Sequence, residues 1–409
     1  MPSLSRTPTL TRSSSPLRKQ IPIVAALAML LACAAIPPGA AAADEKDKTP
    51  PDVIVFKNGD QLTGKFVRAV GDTVLFHSDI AGDINVGWDK IREIHSANKF
   101  AVIEKDQPLT KAARAQIPHG AISISDSQMR VSPDSGESKT IPVKQAAFVI
   151  DEPTFDKEIG HQPGILHAWS GTLTGGATIV KATDNTTTFN GAFAVVRTIP
   201  EVNWLNVRNR TSLGFNGSYG KITTPAFTVG GVLTPATFAK TAIYHAEAER
   251  DEYFSPRLYV LAQTAFDHNF SQGLDLQQIY GGGLGWTVLK RPRQTLDLKA
   301  TAQYEKQQFL ASGTGNEQDL VGSTFAANYL LKLPRSIAFT EQIAFIPSYN
   351  NSRAYSGNES SLLAVPVFKR LSLAIGAIDS YLNDPPSTEP PTKRNSFQFT
   401  TGVSYSLGH

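Results

Sequence analysis

Apolar and polar residues alternate without a break through Thr295-Leu296-Asp297-Leu298-Lys299-Ala300-Thr301-Ala302-Gln303-Tyr304-Glu305. Successive side chains of a strand point to opposite faces, so this segment predicts a strand with one apolar and one polar face. Strands of soluble sheets usually have about 5–6 residues. This strand has about ten, which is the length of a tilted strand that crosses a bilayer.

The same pattern recurs along the chain from residue 164 to residue 409, in twelve segments. Their centres lie near residues 173, 192, 210, 245, 262, 282, 300, 326, 342, 365, 376 and 401. Besides 295–305, segments 396–407 and 205–216 show the alternation most clearly. The fold predicted from them is all-β, with an antiparallel transmembrane β-barrel of about twelve strands over 164–409.

The connections between these segments alternate in length. Short turns are expected at 199–201, 251–256, 291–293, 333–335 and 369–370, and longer loops at 219–236, 267–273, 309–317, 348–358 and 383–394. The first connection, around 183–185, is short although it lies on the loop side. An even number of strands with short turns at one end and long loops at the other is the plan of an outer-membrane barrel.

The aromatic residues follow the same division of the chain. All eleven tyrosines lie after residue 218, and most of them lie near segment ends, where outer-membrane barrels carry interfacial girdles.

The polar faces of the segments carry charges of both signs. The residues expected to line the lumen are Arg208, Arg210, His245, Glu247, Glu249, Asp297, Lys299 and Glu305. Mixed charge suits a water-filled channel and equally a lumen closed by internal ion pairs, and twelve strands leave room for either.

The N-terminal residues 1–43 have the order of a secretory signal peptide. A basic Ser/Pro-rich stretch precedes an apolar run over 21–36, and small residues at Ala41 and Ala43 suit a signal peptidase. Two alternatives remain: a short retained anchor helix, and lipidation at Cys33 after Leu30-Leu31-Ala32. Residues 44–51, charged and ending in prolines, are predicted to be a linker.

A small β domain is expected over 52–155, before the barrel. Short strands over 53–94 suggest an SH3-like barrel closed by Ile91 and Ile94, and a weaker echo from residue 101 suggests a degenerate tandem repeat. Asn58-Gly59-Asp60 predicts a hairpin turn and Gly64 a bulge, rather than a binding loop.

Composition excludes several classes of function. The chain has 39 Lys and Arg and 36 Asp and Glu, and four of the basic residues lie in the first 43 positions without an acid. The remainder carries a net charge of −1, so no nucleic-acid surface is expected. A single cysteine excludes a disulfide framework, and His77, His95 and His119 lack metal-ligand spacing. No catalytic motif, cofactor site or metal site is predicted; the glycines at 281–283 and 285 belong to a strand rather than a nucleotide loop.

Three separated blocks resemble one protein family. They are the stretches 251–259 and 274–286, the segment Leu371-Ser372-Leu373 with 381–386, and 395–407. They resemble the salt-induced outer-membrane protein family, number 481 of the domains of unknown function. The resemblance implies an outer-membrane barrel and brings no catalytic residues with it.

The sequence therefore predicts a non-enzymatic barrel of the bacterial outer membrane, with its lipid and the barrel-assembly machinery as partners. The end Leu407-Gly408-His409 departs from the aromatic terminus that this machinery reads. Residues 52–151 are expected in the periplasm, where they could meet peptidoglycan or another envelope protein. A narrow pore and an envelope-stabilising, stress-related protein both remain open. The alternatives are a lipid hydrolase on a twelve-stranded barrel, with His245 as its candidate histidine, and a secreted soluble β-rich binding protein.

Overall fold

The computed structural model describes residues 50–105, 107, 114, 116–160, 164–181, 185–229, 232–310, 317–385 and 393–408. The predicted signal peptide, Cys33 and nearly all of the linker lie outside these residues, as do His409 and the 182–184 part of the first connection. The described residues from Pro51 onward form one compact unit. No helix among the described residues is long and apolar enough to cross a membrane.

The N-terminal part of this unit is a nine-stranded antiparallel sheet. Its strands are β1 (Asp52–Phe56), β2 (Gln61–Val70), β3 (Thr73–Ser78), β4 (Gly82–Gly87), β5 (Ile91–Glu104), β6 (His119–Ser125), β7 (Gln128–Ser132), β8 (Lys139–Pro142) and β9 (Ala146–Asp151). They lie in the order β4-β3-β2-β1-β5-β6-β7-β8, and β9 pairs with both β2 and β5.

The two halves of this sheet repeat one plan, in which four strands and a 3-10 turn precede a final strand. The 3-10 turns are Trp88–Lys90 and Val143–Gln145. The expectation that the first unit closes at Ile94 is wrong, because β5 continues to Glu104 and serves both halves. Its first part pairs with β1, and its last part pairs with β9. One shared core, from Ile54 to Val149, makes the halves a single folding unit.

The predicted turn chemistry holds at one glycine and fails at the other. Gly59 has a φ of 93°, and Asn58 Oδ1 accepts a hydrogen bond from the backbone N–H of Asp60 at 3.1 Å. Gly64 makes no bulge. Instead, a Cβ there would lie 2.1 Å from the carbonyl oxygen of His77, so the residue is small because β3 passes close to it.

A short helical segment, which the sequence did not predict, follows the sheet. Helix α1 (Glu152–Phe155) is capped by Asp151, whose carboxylate accepts from the backbone N–H of Thr154 at 3.2 Å. A single π-helical turn, Asp156–Gly160, continues it. Proline at the second helical position and the aspartate cap are the local signals for it.

The rest of the chain is a closed antiparallel barrel of twelve strands, as predicted. Chain order gives β10 (Trp169–Lys181), β11 (Asn185–Ile199), β12 (Asn209–Thr224), β15 (Thr237–Tyr253), β16 (Leu258–Asn269), β17 (Leu274–Arg291), β18 (Gln294–Phe309), β19 (Glu317–Lys332), β20 (Ala338–Ile346), β21 (Ser356–Phe368), β22 (Leu371–Leu382) and β23 (Asn395–Leu407). A small hairpin of β13 (Phe227–Val229) and β14 (Val232–Thr234) lies in the connection after β12. Each of the twelve predicted centres falls within one of the barrel strands.

Two connections differ from expectation. The turn expected at 199–201 is a nine-residue connection, 200–208, because Leu205 is buried against the N-terminal sheet rather than in a strand. The loop expected at 267–273 is short: β16 continues to Asn269, and the 3-10 turn Phe270–Gln272 leads into β17. The other described connections keep their predicted short or long character, although β12 continues to Thr224 and shortens the loop expected at 219–236.

The connection 200–208 fixes the sheet to the barrel. Leu205 packs in a buried cluster with Ile103 and Phe155, and Trp204 lies 5.0 Å from the Arg68 guanidinium. The buried Glu158 carboxylate accepts from the backbone N–H of Glu201 at 2.7 Å. Lys157 pairs with the Glu201 carboxylate at 3.0 Å, and this hydrogen bond raises the pKa of Lys157.

The outward face of the barrel is largely apolar. Leu298 lies between Trp286 on β17 and Ala327 on β19, and large hydrophobic side chains on this face remain exposed. They include Leu213, Phe215, Val260, Phe266, Leu284, Val321, Phe325, Ile343, Phe345, Leu373, Phe397, Phe399, Val403 and Tyr405. Carboxylates also lie on this face by the same alternation, among them Glu341, Glu359 and Asp379.

Candidate functional site

The candidate site is the polar interior of the barrel. Contacts between strands that are not neighbours identify which side chains point into it. Arg210 on β12 bonds Asp297 on β18, although β15, β16 and β17 lie between these strands in the sheet. A contact of this kind must cross the lumen, so the residues in phase with Arg210 and Asp297 face inward.

A partly buried arginine, Arg210, organises the interior at the end with the short turns. Arg210 donates from Nε to Asp251 at 2.6 Å, from Nη1 to Asp297 at 2.8 Å and from Nη2 to the Tyr259 hydroxyl at 3.3 Å. Its guanidinium also lies 5.2 Å from the Tyr259 ring. Thr287 donates to the second Asp297 oxygen at 2.6 Å. Two buried carboxylates therefore share one partly buried cation, an arrangement that is stable only while each carboxylate remains paired.

A second ion pair lies one step further into the barrel. Lys299 on β18 donates to Glu249 on β15 at 2.5 Å, and both side chains are only about a tenth exposed. This pair also spans non-adjacent strands. The next inward layer is uncharged and consists of Gln263, Thr301 and Gln303. The Thr324 hydroxyl donates a hydrogen bond to Gln303.

Towards the loops the interior contains a histidine and further acids. His245 Nδ1 lies 2.6 Å from Asp267 Oδ1, and its Nε2 lies 3.7 Å from Glu247 Oε2. Glu305, which is 3% exposed, accepts from Gln277 and Gln307. In the part of the chain that the structure describes, no serine or threonine hydroxyl bonds His245, so its partners do not form a nucleophile–base–acid relay.

The remaining wall of the lumen is lined mostly by small, uncharged side chains. By the register, β10, β11 and β20–β23 point Thr172, Thr174, Thr188, Asn190, Ala194, Gln342, Ala344, Asn358, Ser360, Gly376, Thr400 and Ser404 inward. Ala194 and Gln342 are exposed although they face the interior, which shows open space beside them. The charges therefore lie on one arc of the wall and small polar groups on the other.

Seven of the eight residues predicted to line the lumen point into it by the register, and the structure brings them together in the groups above. Arg208 does not belong to them, because it precedes β12 in the connection 200–208. Its Nε and Nη2 have no hydrogen-bond partner, and burial, together with the nearby Arg114, lowers the pKa of its guanidinium. The missed residues include Asp251, Tyr259 and Asp267. Asp251 alternates in phase with His245, Glu247 and Glu249, but the sequence pattern placed it in a turn.

The glycines of β17 make room for this arrangement. A Cβ at Gly285 would lie 2.0 Å from Cζ of Tyr259, and a Cβ at Gly283 would lie 2.0 Å from the carbonyl oxygen of Ala300. Both glycines sit within the strand: Gly285 clears space for the fully buried Tyr259 ring, and Gly283 allows the backbone of β18 to pass close by, so neither forms part of a nucleotide loop. Among the described residues no group of three or more His, Cys, Asp or Glu side chains could hold a metal ion.

Solved structures of bacterial outer-membrane proteins show slight similarity to this chain. The transport unit of the autotransporter AIDA-I from Escherichia coli is 12% identical, with a TM-score of 0.28, over 62% of this chain and 96% of that one. OprB from Pseudomonas putida is 11% identical, with a TM-score of 0.22, over 58% and 90%. A FadL homologue from Pseudomonas aeruginosa is 11% identical, with a TM-score of 0.22, over 87% and 86%. These values add nothing to what the topology shows.

A search of curated proteins gives no match. In contrast, the family model described as "Protein of unknown function, DUF481" matches residues 174–407, which is more than half of the chain and nearly the whole barrel. This confirms the resemblance found in the three sequence blocks. The chain therefore belongs to the DUF481 family.

Proposed function

We propose that this protein is an outer-membrane barrel whose lumen is a narrow aqueous pore for small solutes. The observation that carries the proposal is the division of the wall into two faces, an apolar one outside and a polar one inside. An exposed apolar surface that surrounds a closed barrel suits hydrocarbon, in which every backbone group must be paired internally. A secreted soluble protein would leave that surface in water.

The height of the apolar band supports this placement. On β15 the outward positions between Lys240 and Arg250 are Ala242, Tyr244, Ala246 and Ala248. Ten residues at roughly 3.4 Å each span about 34 Å along the strand, and a tilt of about 40° reduces this to roughly 26 Å. Outer-membrane barrels have an apolar band about 25 Å tall.

The interior supports a pore more than a solid plug. Each carboxylate of the Arg210 and Lys299 groups is bonded to a cation, and these groups extend from β12, β15 and β18. The facing arc has short side chains and the exposed, inward-facing Ala194 and Gln342. A passage along this arc would be narrow, and because inward carboxylates outnumber inward cations on the opposite wall, we expect a modest preference for cations.

The proposal places the short turns, and with them residues 52–151, in the periplasm. The sheet packs on the connection 200–208 at that end of the barrel. Among the described strands, the edge strands β4 and β8 each pair on one side only, and Ile80 at the β3–β4 turn is 97% exposed. These features suit contact with peptidoglycan or another envelope protein.

Planar-bilayer recording from the purified, folded full chain tests the pore. Small, stable current steps with a modest preference for K⁺ over Cl⁻ are expected. The matched variant is Ala194→Phe, which fills the small-residue arc with one inward ring and should lower the step size. An absence of current from protein that shows heat-modifiable migration in the outer-membrane fraction would reject the pore but leave the membrane barrel; a soluble periplasmic pool would reject both.

A further inference from the structure

Two lysines face each other on the outer surface of the barrel, near the loops. Lys221 on β12 lies directly opposite Lys240 on β15 in the strand register. Both side chains are exposed, and both are in phase with the outward residues Phe215 and Tyr219. They therefore belong to the surface that the apolar band occupies and not to the lumen.

This arrangement carries an electrostatic cost. Like charges directly opposite on neighbouring strands are destabilising. No carboxylate among the described residues forms a salt bridge with either lysine. Instead, Lys221 Nζ lies 5.6 Å from the Phe238 ring and Lys240 Nζ lies 5.8 Å from the Phe270 ring. Both ammonium groups thus lie beside aromatic rings and remain open to an external anion.

The position along the strand restricts what that anion can be. Lys240 stands at the loop-side boundary of the apolar band, one outward position beyond Ala242 and two beyond Tyr244. In the placement proposed above, this is the level of the lipid headgroups. An ammonium at this depth meets headgroup phosphates, and an aromatic neighbour is the usual companion at that interface.

We propose that Lys221 and Lys240 form a binding site for the phosphate of an anionic lipid headgroup in the leaflet on the loop side. The inference rests on the proposed membrane placement and goes beyond it, because it assigns one sector of the barrel surface to one class of lipid. The sector is local. On the nearly opposite wall, Glu359 faces Asp379 in the register of β21 and β22, and two carboxylates at that point would repel the same phosphate.

Lys306 provides a matched control on the same rim. It is an outward lysine of β18 near the loops, but its Nζ lies 3.3 Å from Glu317 Oε2. Since it already has an anionic partner, its removal should affect lipid binding little. An exposed pair of this kind contributes only about 0.2–1 kcal/mol.

The test is titration of lipid A into the detergent-folded full chain, with binding followed by native mass spectrometry. The K221Q/K240Q variant should bind lipid A about thirtyfold more weakly, which corresponds to roughly 1 kcal/mol for each lysine near an anionic surface. K306Q should stay within about fivefold of the parent, and K221R/K240R should retain most of the affinity because it keeps both charges.

Three outcomes would overturn the proposal: parental affinity in K221Q/K240Q, an equal loss in K306Q, or displacement of lipid A by millimolar inorganic phosphate, which would indicate a site for a free anion. Each variant is checked for heat-modifiable migration first. If K221Q/K240Q does not fold, a comparison of K221R/K240R with K221Q alone replaces it. A parent chain that forms no membrane-embedded barrel would refute the proposed function and not merely this site.

Discussion

At the scale of single residues, Arg210 is the side chain on which the interior depends most. It pairs with Asp251 and Asp297, which are 0% and 4% exposed. Neither carboxylate has another cationic partner among the described salt bridges. Removal of the guanidinium would therefore leave two buried negative charges close together.

We expect Arg210→Gln to lower the stability of the folded barrel by about 3–5 kcal/mol, the range for an orphaned buried charge. The measurement is the urea midpoint of the heat-modifiable band in detergent. The control is Lys299→Arg, which keeps the pair with Glu249 and should be nearly silent. Equal midpoints for Arg210→Gln and the parent would show that the cluster is not buried as the structure has it.

The neighbouring residue Leu298 tests the direction of the strand face. It points outward at the apolar band, and Lys299 points inward. An arginine side chain at the bilayer midplane lowers the stability of a barrel by roughly 2–4 kcal/mol. Leu298→Arg should therefore reduce the yield of folded barrel in the outer membrane. Comparable yields for Leu298→Arg and Lys299→Arg would mean that the two faces are assigned wrongly.

At the scale of elements, β17 shows how one strand shapes the lumen for its neighbours. Its inward Gly285 gives β16 room to place Tyr259 inside the wall, and Tyr259 in turn supports Arg210 of β12. Three strands thus depend on the absence of side chains from one of them. Even the methyl group of an alanine at Gly285 should therefore destabilise the barrel.

Gly285→Ala should destabilise the barrel by about 1–3 kcal/mol, because its Cβ overlaps the Tyr259 ring. The matched control is Gly175→Ala on β10, where a Cβ meets nothing within 4 Å. The measurement is the temperature at which each of the two variants loses its heat-modifiable form. Adding Tyr259→Leu to Gly285→Ala should recover part of the loss; no recovery would contradict the steric explanation.

At the scale of the whole molecule, the proposed orientation places the long connections outside the cell. Among them, Arg353 lies in the connection 347–355, and Lys393 and Arg394 lie in 383–394; all three are exposed. The N-terminal sheet carries many trypsin sites of its own, such as the exposed Lys57 and Arg92.

Trypsin added to intact cells should cut after Arg353 and Lys393 or Arg394 and should spare residues 52–151, because the outer membrane shields the periplasm. Mass spectrometry of the fragments maps the cuts, and cells with a permeabilised outer membrane provide the control in which the sheet is exposed. Cleavage within 52–151 while the outer membrane is sealed would reverse the topology and remove the case for a periplasmic partner.

Alternation along the chain was enough to determine the number of barrel strands, their centres and most of the inward residues, because the two-residue period of a strand is a local property of the backbone. It could not show that Arg210 meets Asp297, 87 positions away. That contact depends on how strand register and tilt bring non-adjacent strands to the same level when the sheet closes.

Tertiary structure also decided where the periodic pattern fails. Leu205 continues an alternating run in the sequence, yet it lies in a connection because the N-terminal sheet offers it a buried site. Likewise β5 serves both halves of that sheet because one core covers both. A local pattern specifies which side of a strand is apolar. Burial against a distant partner determines whether a strand forms there at all, because the free energy of burying a side chain depends on the surface that it contacts.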